Sequence, residues 1–199
     1  MEARVQKKRT PYEEYLDMPE DVRCELINNR IVMMGTPSFE HQRVYGELFW
    51  QLRTFLSGKH CSVVQDVGVR FQEREPINNA LRPDIIVVCD PSKIRPEGIV
   101  GAPDLIIEVL SPSTGVIDKL RKFYLYKSEG VREYWIVDPI HRIVDVYQWD
   151  NGLSHHHPYG PTDKIKVGIL EDCVIDLSLV FPEPEPEQMV NNLEISDDL

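Results

Sequence analysis

The sequence predicts an α/β (α+β) fold with a central mixed β-sheet flanked by helices, and three observations predict it. Two runs, PDIIVVCD and PDLIIEVL, have the continuous Ile and Val content of central strands that are covered on both faces. Helical patterns precede and follow these runs. Hairpin signals lie in the N-terminal and C-terminal parts of the chain, and this order favours a mixed sheet over a doubly wound one.

The N-terminal part is predicted to form a short helix followed by a hairpin. Thr10 is a suitable N-cap, Pro11 takes the first helical position, and Glu13 completes a capping box. The segments RCELI and RIVMMG follow as strands on either side of Asn28-Asn29, a pair that tolerates the positive φ of a two-residue turn.

A longer helix is expected over residues 39–56, with Ser38 as its N-cap and Ser57-Gly58 at its end. Four apolar residues recur on this helix at helical spacing and should face the core: Val44, Leu48, Leu52 and Phe55. After the helix, CSVVQDVGVRF is predicted to be one strand and REPINNALR a polar loop.

The C-terminal half is predicted to continue with a helix from Thr114 to Glu129 that Gly130 ends. REYWIVDP and RIVDVYQWD should pair as neighbouring strands, and the next hairpin turns at the Asn-Gly pair that follows them. A last strand is expected in KVGIL or CVIDLSLVF. Residues 1–181 should form one domain and residues 182–199 a flexible acidic tail rich in Pro and Glu.

The composition argues against several classes of protein. No stretch approaches the roughly 18 apolar residues of a membrane span, and MEARVQKKRTPYEEYL lacks the apolar segment of a secretory signal. We therefore expect a cytoplasmic protein without membrane contact. No G-x-G-x-x-G or Walker A sequence supports a nucleotide-binding fold.

The cysteines and histidines do not show the spacing of a zinc site. Cys24, Cys61, Cys89 and Cys173 are scattered, and we expect buried free thiols instead of disulfides. In the three consecutive histidines at 155–157, only the first and third would share a face of a strand, so a surface strand is the preferred interpretation.

The net charge of −11 is unfavourable for a protein that binds nucleic acid non-specifically, because phosphate contacts require Lys and Arg. Part of this charge belongs to the C-terminal PEPEPEQMVNNLEISDDL, and carboxylates at a metal site would add to it locally. The charge argues against tight non-specific DNA binding but is compatible with a metal-dependent nuclease.

Two carboxylates lie on the predicted central strands. Asp84 begins one strand directly after Pro83 and is either a strand-edge acid or a metal ligand. Glu108 stands inside an apolar run, where a buried salt bridge or a metal ion would have to stabilise it. If the strands bring both acids together, they supply ligands for a divalent metal that activates water.

Lys122 lies on the predicted helix that follows the Glu108 strand, four residues after Asp118. One interpretation is a surface ion pair between Lys122 and Asp118. The other is that Lys122 leans over the sheet edge towards the acids. There its ammonium group could orient the attacking water or stabilise charge on a phosphate.

Other polar residues are weaker candidates. Glu25 in the first hairpin is a further metal ligand or, as the simpler interpretation, a solvated strand acid. His41 and Gln42, near the start of the second helix, could support the site or face water. Asp104 lies four residues before Glu108, about 13 Å away along the strand, and is too distant to share an ion with it.

Several motifs resemble a known family. PDLIIEVLSPST, the following D-K-L-R-K-F-x-x-Y and GVREYWIVDP, with CELINNRIVMMGTPSFEHQ upstream, resemble the Uma-type restriction endonucleases, a branch of the PD-(D/E)XK nuclease superfamily. The resemblance covers roughly Tyr12 to Phe181 and implies a mixed sheet with helices on both faces. It places the PD acid on Asp84 and the (D/E)xK acid on Glu108. The lysine of the motif is replaced by Leu110, and the resemblance implies Lys122 in its place.

Together these observations predict a Mg²⁺-dependent DNA endonuclease, with Mn²⁺ as an alternative metal. Asp84 and Glu108 would ligate the metal, and Lys122 would position the water. A homodimer is expected, because duplex-cutting enzymes often use two-fold symmetry, and an unknown protein partner stays open. Two other interpretations remain: a catalytically silent nuclease fold that binds DNA or serves in assembly, and a metal-dependent hydrolase of RNA or another phosphate ester.

Overall fold

The protein is described by a computed structural model that covers residues 9–19, 21–111, 116–150 and 152–183, and of residues 116–119 the backbone alone. The two apolar runs are adjacent antiparallel strands inside a six-stranded sheet. In spatial order this central sheet contains β12 (Leu153–Tyr159), β11 (Ile143–Asp150), β10 (Glu133–Asp138), β9 (Leu105–Val109), β6 (Ile85–Val88) and β3 (Ser62–Gln65). Strands β9 and β10 are parallel and the other neighbours antiparallel, which confirms the predicted mixed sheet.

A second six-stranded sheet is built from shorter strands. Its spatial order is β2 (Arg30–Met33), β1 (Cys24–Ile27), β5 (Ala80–Leu81), β4 (Val69–Arg70), β8 (Gly98–Val100) and β7 (Ile94–Arg95). The β1–β2 hairpin turns at Asn28 and Asn29, whose φ angles of 49° and 61° confirm the predicted turn. The apolar residues of this sheet pack on the face of the central sheet that carries Ile86 and Ile106.

Helices cover both faces of the central sheet. The helix α2 (Phe39–Leu56) is capped by Ser38 as predicted and packs on the face that carries Ile107. The helix α3 (Val116–Glu129) joins β9 to the parallel β10 and packs on the opposite face, which carries Ile106. The predicted α2 stripe is confirmed at its three fully buried residues, Val44, Leu48 and Leu52.

Two short helices and a small hairpin complete the described chain. The helix α1 (Pro11–Leu16) has the predicted capping box of Thr10 and Glu13. Near the C-terminus, β13 (Lys164–Lys166) pairs with β14 (Val174–Asp176), and α4 (Leu177–Val180) follows. The segment CVIDLSLVF is therefore part strand and part helix.

Two predictions about the segment between α2 and β6 are wrong. CSVVQDVGVRF is not one strand, because the chain bends at Asp66, whose φ is 51°, and continues as β4 in the second sheet. REPINNALR is not a wholly polar loop, because Ala80 and Leu81 form the buried strand β5. Both errors arise because a two-residue strand leaves no period in the sequence.

The expectation of four free thiols is also wrong. Cys61 and Cys89 form a disulfide, with a Cα–Cα distance of 4.0 Å. They flank the antiparallel pair β3–β6, in which Ser62 is opposite Val88. Cys61 precedes Ser62 and Cys89 follows Val88, so the two cysteines lie opposite each other. The remaining two cysteines are buried thiols, as predicted: Cys24 and Cys173.

Three further predictions concern the ends and the surface of the chain. Residues 155–157 are exposed on the edge strand β12, which confirms the predicted surface strand. The predicted start of α3 at Thr114 and residues 184–199 of the predicted tail lie outside the described residues. None of the helices in the described part of the chain combines the length and apolar character needed to cross a lipid bilayer.

Candidate active site

A cavity of about 140 Å³ lies where both sheets meet α2 and α3. Its lining brings together all three residues predicted to be catalytic and three of the four predicted to support them: Asp84, Glu108 and Lys122, with Glu25, His41 and Gln42. The side chain of the fourth, Asp118, lies outside the described residues. These six lining residues come from β1, β9, α2 and α3 and from the position directly before β6.

Asp84 and Glu108 lie opposite each other on neighbouring strands. In the antiparallel pair of β6 and β9, Ile85 is the partner of Ile107, and one further step pairs Asp84 with Glu108. Directly opposed side chains share a face, with Cβ atoms about 5 Å apart. The N–H of Val109 donates to Asp84 Oδ2 at 2.8 Å and fixes that carboxylate beside Glu108. The strand register therefore places two acids within reach of one ion.

Lys122 extends from α3 to Glu108 and Glu25. Its Nζ lies 2.9 Å from Glu108 Oε1 and 2.9 Å from Glu25 Oε1. This is the position expected if the Lys122 side chain leans over the sheet edge towards the acids. Leu110, where the superfamily motif has its lysine, instead packs in the apolar cluster beneath α3. The ammonium group thus reaches the acids from α3 and not from the strand that carries Glu108.

Glu25 is not the solvated acid that the sequence suggested. Only 3% of the residue is exposed, and its Oε1 accepts hydrogen bonds from the backbone N–H of Arg82 and from Lys122, each at 2.9 Å. Arg23, Glu25 and Ile27 alternate along one face of β1, and all three line the cavity. Arg23 directly precedes β1, and Ile27 packs against Ile106 of the central sheet, so this face points inward.

Burial sets the proton affinities of the central pair. Burial raises the pKa of Glu108 to about 7; Lys122 partly offsets this effect, whereas Asp84 and Glu25 add to it. Burial alone would lower the pKa of Lys122, but Glu108 and Glu25 raise it above its usual value. Lys122 is therefore a cation at neutral pH, and Glu108 exchanges its proton in the physiological range.

Sequence reasoning missed Tyr126, which is fully buried on α3. Its hydroxyl donates to Glu108 Oε1 at 2.7 Å. Tyr126 lies four residues after Lys122, and residues at that spacing share one face of a helix. This spacing is the signal that could have identified Tyr126. Tyr126 gives Glu108 a second hydrogen-bond donor from α3, in addition to Lys122.

His41 approaches Asp84 from α2. Its Nε2 lies 3.4 Å from Asp84 Oδ2, and the residue is 7% exposed. The Nδ1 atom is buried and has no hydrogen-bond partner among the described residues. Gln42, the next residue, also lines the cavity. The polar pair predicted at the start of this helix therefore faces the candidate site.

Asp104 lies outside the cavity, at the far end of β9, as expected. Its carboxylate accepts hydrogen bonds from the N–H of Cys89 at 2.7 Å and from Arg132 at 3.1 Å. These contacts account for an acid at this position. Asp104 is a structural residue of the strand end.

The chemistry of the donor set fits a hard divalent cation. Among the described residues, no group of three or more His, Cys, Asp and Glu side chains is arranged as a metal cage. Asp84 and Glu108 offer two carboxylates from opposed strands. Mg²⁺ is often held by one or two carboxylates while it keeps several water molecules, so these residues fit Mg²⁺ better than a metal that requires a full set of protein ligands.

Comparison with known proteins identifies the family of the chain. The model of the Uma2 family, described as "Putative restriction endonuclease", matches residues 12–178. The chain belongs to the Uma2 family. The match spans the hairpin with Glu25, both central strands and α3, so the whole candidate site lies within it.

Two curated relatives of this Uma2 protein come from Synechocystis sp. strain PCC 6803. The uncharacterized protein slr1290 is 30% identical over 139 residues, which cover 68% of this chain and 72% of that protein. The uncharacterized protein sll1609 is 28% identical over 141 residues, covering 68% and 78% respectively.

A solved structure has the same fold. The crystal structure of a putative nuclease belonging to DUF820, from Anabaena variabilis, aligns with a TM-score of 0.72 at 20% identity. The alignment covers 87% of this chain and 98% of that chain. The Uma2 chain therefore shares the fold of that protein.

Proposed function

We propose that this Uma2 protein is a Mg²⁺-dependent endonuclease that hydrolyses phosphodiester bonds in DNA. The proposal rests on one observation: Lys122 Nζ contacts Glu108 in the cavity that Asp84 also lines. Two carboxylates and an ammonium group are a suitable set for metal-assisted phosphodiester hydrolysis. The family description and the printed name of the structural neighbour support the nuclease class.

Asp84 and Glu108 would hold the metal, which when bound supplies Lewis-acid stabilisation of the charge that develops on the phosphoryl oxygens. Val109 N–H orients the carboxylate of Asp84, and Lys122 with Tyr126 orients that of Glu108. These contacts keep both acids in place before substrate arrives. Catalytic groups that are fixed in advance need no reorganisation during the reaction.

Lys122 would have a second role towards the water. Two of its three N–H donors contact Glu25 and Glu108, and the third is available to the water that attacks phosphorus. As the new P–O bond forms, the attacking water releases a proton to the solvent and one bridging P–O bond breaks. Negative charge moves to the leaving oxygen, which then takes up a proton from the solvent. A nearby ammonium group stabilises that charge. Glu25, in this scheme, positions Lys122 and does not bind the metal.

One alternative has support from the same contacts. Lys122 forms ion pairs with both glutamates, and this arrangement also satisfies the buried acids without any metal. The net charge of −11 likewise argues against DNA as the partner. A catalytically silent nuclease fold is therefore the second candidate, with a hydrolase of RNA or another phosphate ester as the third.

A substrate panel separates these candidates. Purified protein and its Asp84→Asn variant are incubated with duplex DNA, single-stranded RNA and bis(p-nitrophenyl) phosphate, in Mg²⁺, in Mn²⁺ or in EDTA. We expect cleavage of the duplex that requires metal and disappears in the variant. A preference for RNA or the small ester would support the third candidate, and no cleavage of any substrate would support the silent one.

We also propose that the active form is a homodimer, because each strand of a duplex would then meet one cavity. Sedimentation velocity of the full chain, alone and with duplex DNA, tests this. A monomer that cuts both strands at the same rate at all protein concentrations would contradict it.

A further inference from the structure

Arg23 is the feature of the cavity that the proposed function does not use. Arg23 lines the cavity from the position directly before β1. It is two residues from Glu25, which corresponds to about 7 Å along an extended chain. Since alternate residues of a strand share a face, Arg23 and Glu25 face the same space. Its side chain is 37% exposed, which places it at the mouth and not on the floor.

The cavity is rich in acids. Four of its lining residues carry carboxylates: Glu25, Asp66, Asp84 and Glu108. A phosphodiester that enters such a space needs a cation besides the metal to offset repulsion. Among the described lining residues, Arg23 and Lys122 are permanent cations, and Lys122 already contacts two of the acids. Arg23 is therefore the cation best placed to receive a phosphate.

The donors of Arg23 are only partly engaged. Its Nη2 donates to Asp66 Oδ1 at 2.9 Å, whereas its Nε is buried and has no hydrogen-bond partner among the described residues. A buried N–H without an acceptor is unfavourable. A ligand oxygen in the cavity would remove this penalty. The guanidinium group has a fork of donors that matches the geometry of a phosphate.

Asp66 binds Arg23 and also has other partners. Asp66 Oδ1 also lies 3.4 Å from Nε of Arg82, and Asp66 N–H donates to the carbonyl of Asp84 at 3.3 Å. Because Arg82 shares the charge of Asp66, Arg23 is free to turn part of its fork towards a ligand. Arg53, exposed in the last turn of α2, does not line this cavity and is the matched control.

From these observations we propose that Arg23 binds a non-bridging oxygen of the phosphodiester in the cavity and positions it against the metal. This inference rests on the proposed function for the identity of the substrate, but the anion site itself does not. Arg23 is a substrate-binding residue and takes no proton during hydrolysis.

The first test is kinetic. We expect Arg23→Gln to raise the KM for duplex cleavage about tenfold, the effect of one lost charge-assisted hydrogen bond, with a smaller change in kcat. The slope of log(kcat/KM) against log[NaCl] is negative, and its magnitude should decrease by about one. Arg23→Lys should keep the salt slope and recover part of KM, because it retains the charge and lacks the fork. Arg53→Gln should behave as wild type.

The second test does not require DNA cleavage. In thermal unfolding with Mg²⁺, inorganic phosphate should raise the Tm of wild type and of Arg53→Gln, but not that of Arg23→Gln. If phosphate stabilises wild type and Arg53→Gln but not Arg23→Gln, while no nucleic acid is cut, the anion site is supported and the proposed function fails. If DNA is cut and Arg23→Gln matches Arg53→Gln in both tests, the function is supported and this inference is overturned.

Discussion

Lys122 Nζ and Glu108 Oε1 lie 2.9 Å apart, although the two residues belong to different elements and are separated by 14 positions in sequence. Glu108 comes from a buried central strand and Lys122 from the helix that packs on it. A carboxylate inside a run of Ile and Val requires a partner, and Lys122 is such a partner. The pair links the stability of the fold to the chemistry of the candidate site.

Removing Lys122 should destabilise the fold. In Lys122→Met, Glu25 and Glu108 would remain buried without their shared cation, which we expect to lower the free energy of unfolding by about 3–5 kcal/mol at pH 8. The loss should be smaller at pH 5, where Glu108 is protonated in the folded protein. Urea unfolding measures both values. Lys127→Met, at an exposed site on the same helix, is the control; equal effects of the two substitutions would refute the prediction.

The raised pKa of Glu108 predicts a pH dependence of stability. Burial raises this pKa from 4.5 to about 7, so folding takes up a proton between those values. The stabilising contribution is therefore complete below pH 4.5 and is lost as the pH rises through 7. The unfolding free energy of wild type minus that of Glu108→Gln should fall by roughly 3 kcal/mol from pH 4.5 to pH 8, in EDTA. A difference that does not vary with pH would contradict the account.

Tyr126 should tune metal binding through Glu108. Its hydrogen bond lowers the pKa of Glu108, so Tyr126→Phe should raise that pKa and keep Glu108 protonated to higher pH. Since a metal ligand must be ionised, Mn²⁺ affinity should weaken several-fold at pH 7 and recover at pH 9. Calorimetry between these pH values gives the profile. Tyr134→Phe, a buried ring that contacts Tyr126, should leave the profile unchanged.

Part of the site could be predicted from sequence because its signals are local. Glu108 interrupts an apolar strand, and Asp84 precedes a second such strand. The two strands are long enough to be recognised, and a carboxylate within them is conspicuous. The position of Lys122 could be predicted because the helix that follows the Glu108 strand must return over the sheet to reach β10.

The remaining features depend on contacts between residues distant in sequence. Glu25 is buried because the second sheet packs on the central sheet, and that sheet contains strands, such as β5, that are too short to leave a pattern. The position of Asp66 beside Arg23 depends on the left-handed bend that divides CSVVQDVGVRF. No single segment encodes these relationships, so propensity and periodicity alone could not predict them.

The disulfide was missed for the same reason. The cysteines Cys61 and Cys89 are brought together by the register of β3 and β6, which sequence alone does not give. In protein purified and denatured without reductant, thiol titration should find two reactive groups per chain out of four cysteines. Cys61→Ala should lower the free energy of unfolding by about 3 kcal/mol under oxidising conditions and much less in reductant. Four thiols in the oxidised wild type would show that the bridge does not form.

The most direct test of the central claim is nicking of supercoiled plasmid by the full chain in Mg²⁺ or Mn²⁺. We expect wild type to nick in metal and not in EDTA, and we expect both Glu108→Gln and Lys122→Met to abolish nicking. Asp104→Asn alters a buried acid at the far end of the same strand and should retain activity. Nicking that survives both site substitutions, or that Asp104→Asn removes equally, would contradict the assignment of hydrolysis to this cavity.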